Sequence, residues 1–145
     1  MSDDADLADA CCGSSATCIF AKALLARAAT CELATRRSVA EREVVDCTSP
    51  VARTHCGTLA ALLHERSRFA LHLPRAGQRL IHAQALRLQC GGLAGLQHAL
   101  QASECDVHRL VGLAHERHGS LADLPWADVV ATLVEWQAHR PRRAP

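Results

Sequence analysis

Eight cysteines stand at positions 11, 12, 18, 31, 47, 56, 90 and 105 of the 145-residue chain, beside nine histidines. Thiols at this density can bind a thiophilic metal, carry redox equivalents, or fill apolar space. The N-terminal decapeptide MSDDADLADA carries four aspartates and no lysine or arginine, the opposite of a secretory n-region. A cytoplasmic, reducing setting is therefore the expectation, and structural disulfides are disfavoured there.

The spacing removes several chemistries. C-x-x-C is absent, so neither paired zinc knuckles nor a thioredoxin-type motif is present, and the closely spaced ferredoxin run is missing too. There is also no G-x-S-x-G, Walker A, G-x-G-x-x-G or H-E-x-x-H.

A weaker signal lies in the residues on the C-terminal side of the thiols. Glycine directly succeeds Cys12, Cys56 and Cys90, three of the eight cysteines, where a glycine frequency of about 7% predicts roughly half an occurrence. Glycine beside a ligand lets the backbone approach a bulky inorganic centre and turns amide N–H groups toward sulfur. Cys47 leads into Thr48-Ser49-Pro50, where the chain leaves regular structure. Such placement suits an iron–sulfur cluster, whose potential depends on amide hydrogen bonds to sulfur and on burial.

The expected ligand set is Cys31, Cys47, Cys56 and Cys90 around a [4Fe-4S] cluster, with Gly57, Gly91 and Gly92 permitting close approach. Cys12 or Cys18 is the substitute for Cys31. His55, next to Cys56, could donate to a cluster sulfur or replace a cysteine as it does in Rieske-type centres. The segment CCGSSATC offers a second possibility, zinc or another thiophilic ion held by Cys11, Cys12 and Cys18. Cys105 is read as a spectator. His108, His115 and His118 share a helical face whose polar surroundings mark it as solvated.

The positioning elements read as helical. Tyrosine is absent and aromatics are 3% of the chain, so strand signals are poor. Phe20, Leu24, Ala28 and Cys31 predict a helix over residues 16–35, and Ser38 to Glu41 reads as a capping box for a short second one. Leu59, Leu62, Leu63, Phe69 and Leu73 predict a third, from near Thr54 to Pro74. Leu80, Ile81, Ala85 and Leu88 predict a fourth, closed by Cys90-Gly91-Gly92 as a left-handed cap. Leu93, Leu96 and Leu100 suggest a short fifth. Val107, Leu110, Val111 and Ala114 mark a sixth behind Ser103. Trp126, Val129, Val130, Leu133 and Val134 mark the last, opened by Asp123-Leu124-Pro125 and fraying past His139.

The expected fold is therefore all-α: a single compact domain of about six to seven helices over residues 16–139, with a polar flexible segment at 1–15 and a basic tail at 140–145. A chain of this length removes roughly 68–70% of its unfolded surface from water and needs no covalent staples.

Net charge is +1, which gives no field for a phosphate backbone, and stacking aromatics are few; nucleic acid is not expected as a partner. No apolar run reaches the roughly 20 residues that span a bilayer, so membrane insertion is not expected either. The functional expectation is a small iron–sulfur electron carrier whose partner is a larger redox enzyme. The alternatives are a regulator sensing oxygen, nitric oxide or iron through the same cluster and acting on a regulatory target, a zinc-binding protein, or a helical interaction domain anchored by Trp126 and Trp136.

Overall fold

The computed structural model describes residues 16–137. They form five helices and one two-stranded antiparallel hairpin: α1 (Ala21–Leu25), β1 (Ala34–Val39), β2 (Arg42–Cys47), α2 (Pro50–Leu71), α3 (His82–Leu100), α4 (Val107–His118) and α5 (Trp126–Glu135), with a 3-10 turn at Leu121–Asp123 ahead of α5. The segments expected at 1–15 and 140–145 lie outside the described residues. No helix among the described residues is long and apolar enough to cross a membrane.

The longest helix starts where its chemistry says it should. Ser49 accepts from the amide of Ala52 at 3.1 Å, and Pro50 occupies the first turn, where its missing N–H costs nothing. This places the start of α2 earlier than the expected Thr54. His72 ends it in the left-handed region at φ 54°, ahead of Pro74. Leu59 and Leu63 bury one face against the core, whereas Phe69 is 84% exposed, not inward as its spacing suggested; the Arg68 guanidinium lies 5.6 Å from its ring centroid.

Two predicted helices merge into one. Leu80 and Ile81 precede it, and α3 then runs from His82 through Cys90-Gly91-Gly92 to Leu100 without a break. The glycines are packing surfaces instead of a cap: a Cβ at Gly91 would lie 3.1 Å from Trp136 Cβ, and one at Gly95 would collide with the Val129 carbonyl oxygen of α5. Close helix approach outweighs the intrinsic helical cost of glycine, about 1 kcal/mol each. Leu93, Leu96, Leu100, Leu110, Val129 and Leu133 are all buried in the resulting core. The indole of Trp126 donates to the Leu121 carbonyl at 3.1 Å, fixing the start of α5, which ends at Glu135; His139 lies outside the described residues. The cap of α4 is Asp106, not Ser103.

The all-α expectation is corrected by the hairpin. In place of one helix over 16–35 there is the five-residue α1, and in place of the capping-box helix Val39 pairs with Arg42 across a two-residue loop. Ala40 (φ 50°) and Glu41 (φ 70°) both have positive φ, the signature of a type I′ turn, whose twist matches that of the strands it joins. Strand pairing from Ala34↔Cys47 to Val39↔Arg42 thus overrides the local helix signal. Val45 is the hairpin's inward anchor at 1% exposure, while Thr35 to Val39 of β1 face solvent.

Candidate metal centre

Cys18 reaches its position by pairing along the free edge of β2. Thr17 bridges Asp46 in antiparallel fashion, and the Cys18 amide donates to the Val45 carbonyl at 2.9 Å. The next turn begins α1, and the Phe20 amide favours the Cys18 thiolate, partly offsetting its burial.

Cys31 lies in the loop between α1 and β1, which is zipped to the start of α4. The Thr30 amide donates to the Cys105 carbonyl at 3.0 Å, and the Val107 amide donates to the Thr30 carbonyl at 2.8 Å. The backbone amides of Leu33 and His108 favour the Cys31 thiolate and partly offset its burial. His108 belongs to the first turn of α4, where helix amides have no intrahelical acceptor.

Cys47 closes β2, and Thr48 ties the crossing to β1 by donating its amide to the Leu33 carbonyl at 2.9 Å. The Cys47 thiol donates to the Ser49 carbonyl at 3.3 Å. Cys56 stands on α2, on the face it shares with Leu59 and Leu63.

These four thiols, from four separate segments, line one pocket. Ile19, Ala34, Ala52 and Val107 make its apolar walls, and Arg53 and His108 complete the lining. Ala52 and Arg53 are in the first turn of α2, Val107 and His108 in the first turn of α4, so the positive ends of two long helices meet the sulfurs. The Arg53 side chain is held there by donating Nε–H to the Thr17 carbonyl at 2.7 Å. His108 Nε2 lies 3.8 Å from Glu32 Oε2.

Burial pushes the Cys18 and Cys31 thiols up, and it pushes Cys56 up to about 12, where proximity to Cys18, Cys31 and Cys47 adds to the effect. A lone thiolate here would lack solvation and be repelled by any second one. Burial thus disfavours a nucleophilic thiolate here, and a bound cation would supply the charge that makes several thiolates compatible. Among the described residues, no three His, Cys, Asp or Glu side chains converge closely enough to hold a single metal ion.

Of the expected ligands, Cys31, Cys47 and Cys56 are brought together and Cys90 is not. Cys90 is buried on α3 in a different cavity, beside Leu93, Cys105 and Trp136. Cys18, expected only as a substitute for Cys31, lines the pocket with the other three. Gly57 has nothing within 4 Å of a hypothetical Cβ, while Gly91 and Gly92 meet α5 and Leu63 instead of the thiols. His55 is exposed and packs against His115, with ring centroids 4.9 Å apart, so its side chain turns to α4. Cys11 and Cys12 lie outside the described residues. The sequence carries no signal for Arg53 at this site and marks His108 only as part of a solvated face, because tertiary pairing alone brings them there. No protein-family model, curated protein or solved structure matches the chain.

Proposed function

We propose that Cys18, Cys31, Cys47 and Cys56 are the ligands of an iron–sulfur cluster, of the [4Fe-4S] type, and that the protein passes electrons to or from a larger enzyme. The observation that carries this is the gathering of four thiols from four segments around one pocket. Four thiolates are what the common cubane clusters require. Backbone amides that offset the burial of the Cys18 and Cys31 thiols, and two helix N-termini, supply the positive field that an anionic cluster needs.

A tetrahedral ion with Zn–S bonds of about 2.3 Å draws all its sulfurs onto one point, and among the described residues no three His, Cys, Asp or Glu side chains are placed to hold one ion. Four thiolates also leave no open iron position, which favours electron transfer over chemistry at a substrate.

A regulatory reading of the same cluster has its own support. Cys18, Cys31 and Cys47 lie in the segment ahead of α2, whose hairpin is largely exposed, so gain or loss of the cluster would change how firmly that segment is held. Fast reversible reduction with unchanged circular dichroism supports electron transfer. Breakdown in air with altered helicity or oligomeric state supports regulation.

Anaerobic purification and subsequent iron and sulfide analysis test the proposal. The expected result is a brown protein with about four irons and four sulfides per chain. A colourless protein with stoichiometric zinc, or a metal-free protein that refuses reconstitution, would overturn it.

A further inference from the structure

Asp106 faces two segments with its two carboxylate oxygens. Oδ1 accepts from the Arg109 amide at 3.1 Å and caps α4. Oδ2 accepts from the amide of Glu32, the residue after Cys31, at 2.6 Å. The same carboxylate therefore pins the Cys31 loop onto the first turn of α4. Its own amide is held by the Glu104 carboxylate at 3.0 Å, so the clamp is fixed from behind. Glu32 is anchored by its side chain as well, with Oε1 accepting from Arg109 at 3.2 Å.

The clamp acts on one sulfur in two ways. It holds the first turn of α4, with its His108 amide, against the Cys31 loop, which favours added electron density on the sulfur, and it places a carboxylate on the residue next to Cys31, which disfavours it. Glu32 pairs directly with the Arg109 guanidinium, which also feels the Asp106 charge at longer range, whereas the two oxygens of Asp106 are met by backbone amides.

Building on the reading of the four thiols as cluster ligands, we propose that Asp106 is the positioning residue that sets the reduction potential of the centre through the Cys31 sulfur. Its carboxylate makes the cluster harder to reduce than its amide-rich setting alone would.

Redox titration of the reconstituted full-length protein at pH 8, read by electron paramagnetic resonance, tests this with Asp106→Asn. Asparagine is a good helix cap of the same size but carries no charge. Asp128 on the exposed face of α5 supplies the control, Asp128→Asn. The expected result is a midpoint shifted to more positive potential in Asp106→Asn, with an altered signal shape, and an unshifted midpoint in Asp128→Asn. Should Asp106→Asn fail to fold, Asp106→Ser keeps a capping oxygen without the charge and is expected to shift the same way. Loaded variants with the wild-type potential, or a control that shifts equally, would overturn the inference while leaving the cluster intact. Failure of the wild type itself to take up iron and sulfide would instead sink the underlying reading, a result the same samples reveal before any titration.

Discussion

Gly92 of α3 meets Leu63 of α2 so closely that a Cβ on the glycine would lie 2.6 Å from Leu63 Cδ1. With Gly91 and Gly95 turned toward α5, one helix uses three glycines to bring two neighbours to near-backbone contact. The core that results holds α2 through Leu63, on the same face as Cys56 about two turns earlier.

The glycines therefore predict opposite signs for the same substitution. Gly95→Ala, which forces a methyl against the Val129 carbonyl oxygen of α5, is expected to lose about 1–3 kcal/mol of stability. Gly112→Ala, mid-helix in α4 with nothing within 4 Å, is expected to gain about 0.5–1 kcal/mol. Urea unfolding midpoints check both, and a neutral Gly95→Ala would refute the packing described.

Glu41 holds a positive φ in the hairpin turn that only glycine adopts freely. Glu41→Gly is expected to raise stability by about 0.5–1 kcal/mol after the larger unfolded-state entropy of glycine is counted. Thermal unfolding would show it as a higher midpoint. A lower midpoint would mean that the turn is not type I′.

Burial of Cys56 makes alkaline pH destabilising for the metal-free protein. Its thiol ionises near 9 when unfolded and at about 12 when folded, so the unfolded chain sheds its proton first as the pH rises. The contribution is intact below pH 9 and falls between 9 and 12 by at most about 1.4 kcal/mol per pH unit, less for the solvent that still reaches the site. Cys56→Ala is expected to flatten this decline. Parallel stability curves for wild type and variant from about pH 8 to 11 would contradict it.

What the sequence disclosed was the part written in local pattern. The stripes of Leu59 and Leu63, of Val107 and Leu110, and of Val129 and Leu133 each mark a helix whose inward face the structure buries. The hairpin was hidden, because Ala40-Glu41 lacks the Asn-Gly chemistry that announces such turns and Ser38 to Glu41 imitates a cap. Cys90-Gly91-Gly92 misled for a related reason: glycine that ends a helix and glycine that admits a neighbouring helix look alike until the neighbour is known. Cys31, Cys47 and Cys56 stood out from their flanking turns and helix face. Cys18 reaches them only through the Thr17 bridge to Asp46 on the edge of β2, a tertiary pairing with no local trace.

The most direct test is the iron content of single cysteine variants reconstituted under identical anaerobic conditions. Replacing Cys18, Cys31, Cys47 or Cys56 with serine is predicted to abolish the wild-type iron and sulfide stoichiometry or sharply reduce it, whereas Cys90→Ala and Cys105→Ser are predicted to retain it. Loss of the cluster on changing Cys90, or full retention on changing Cys18, would contradict the assignment of the four thiols.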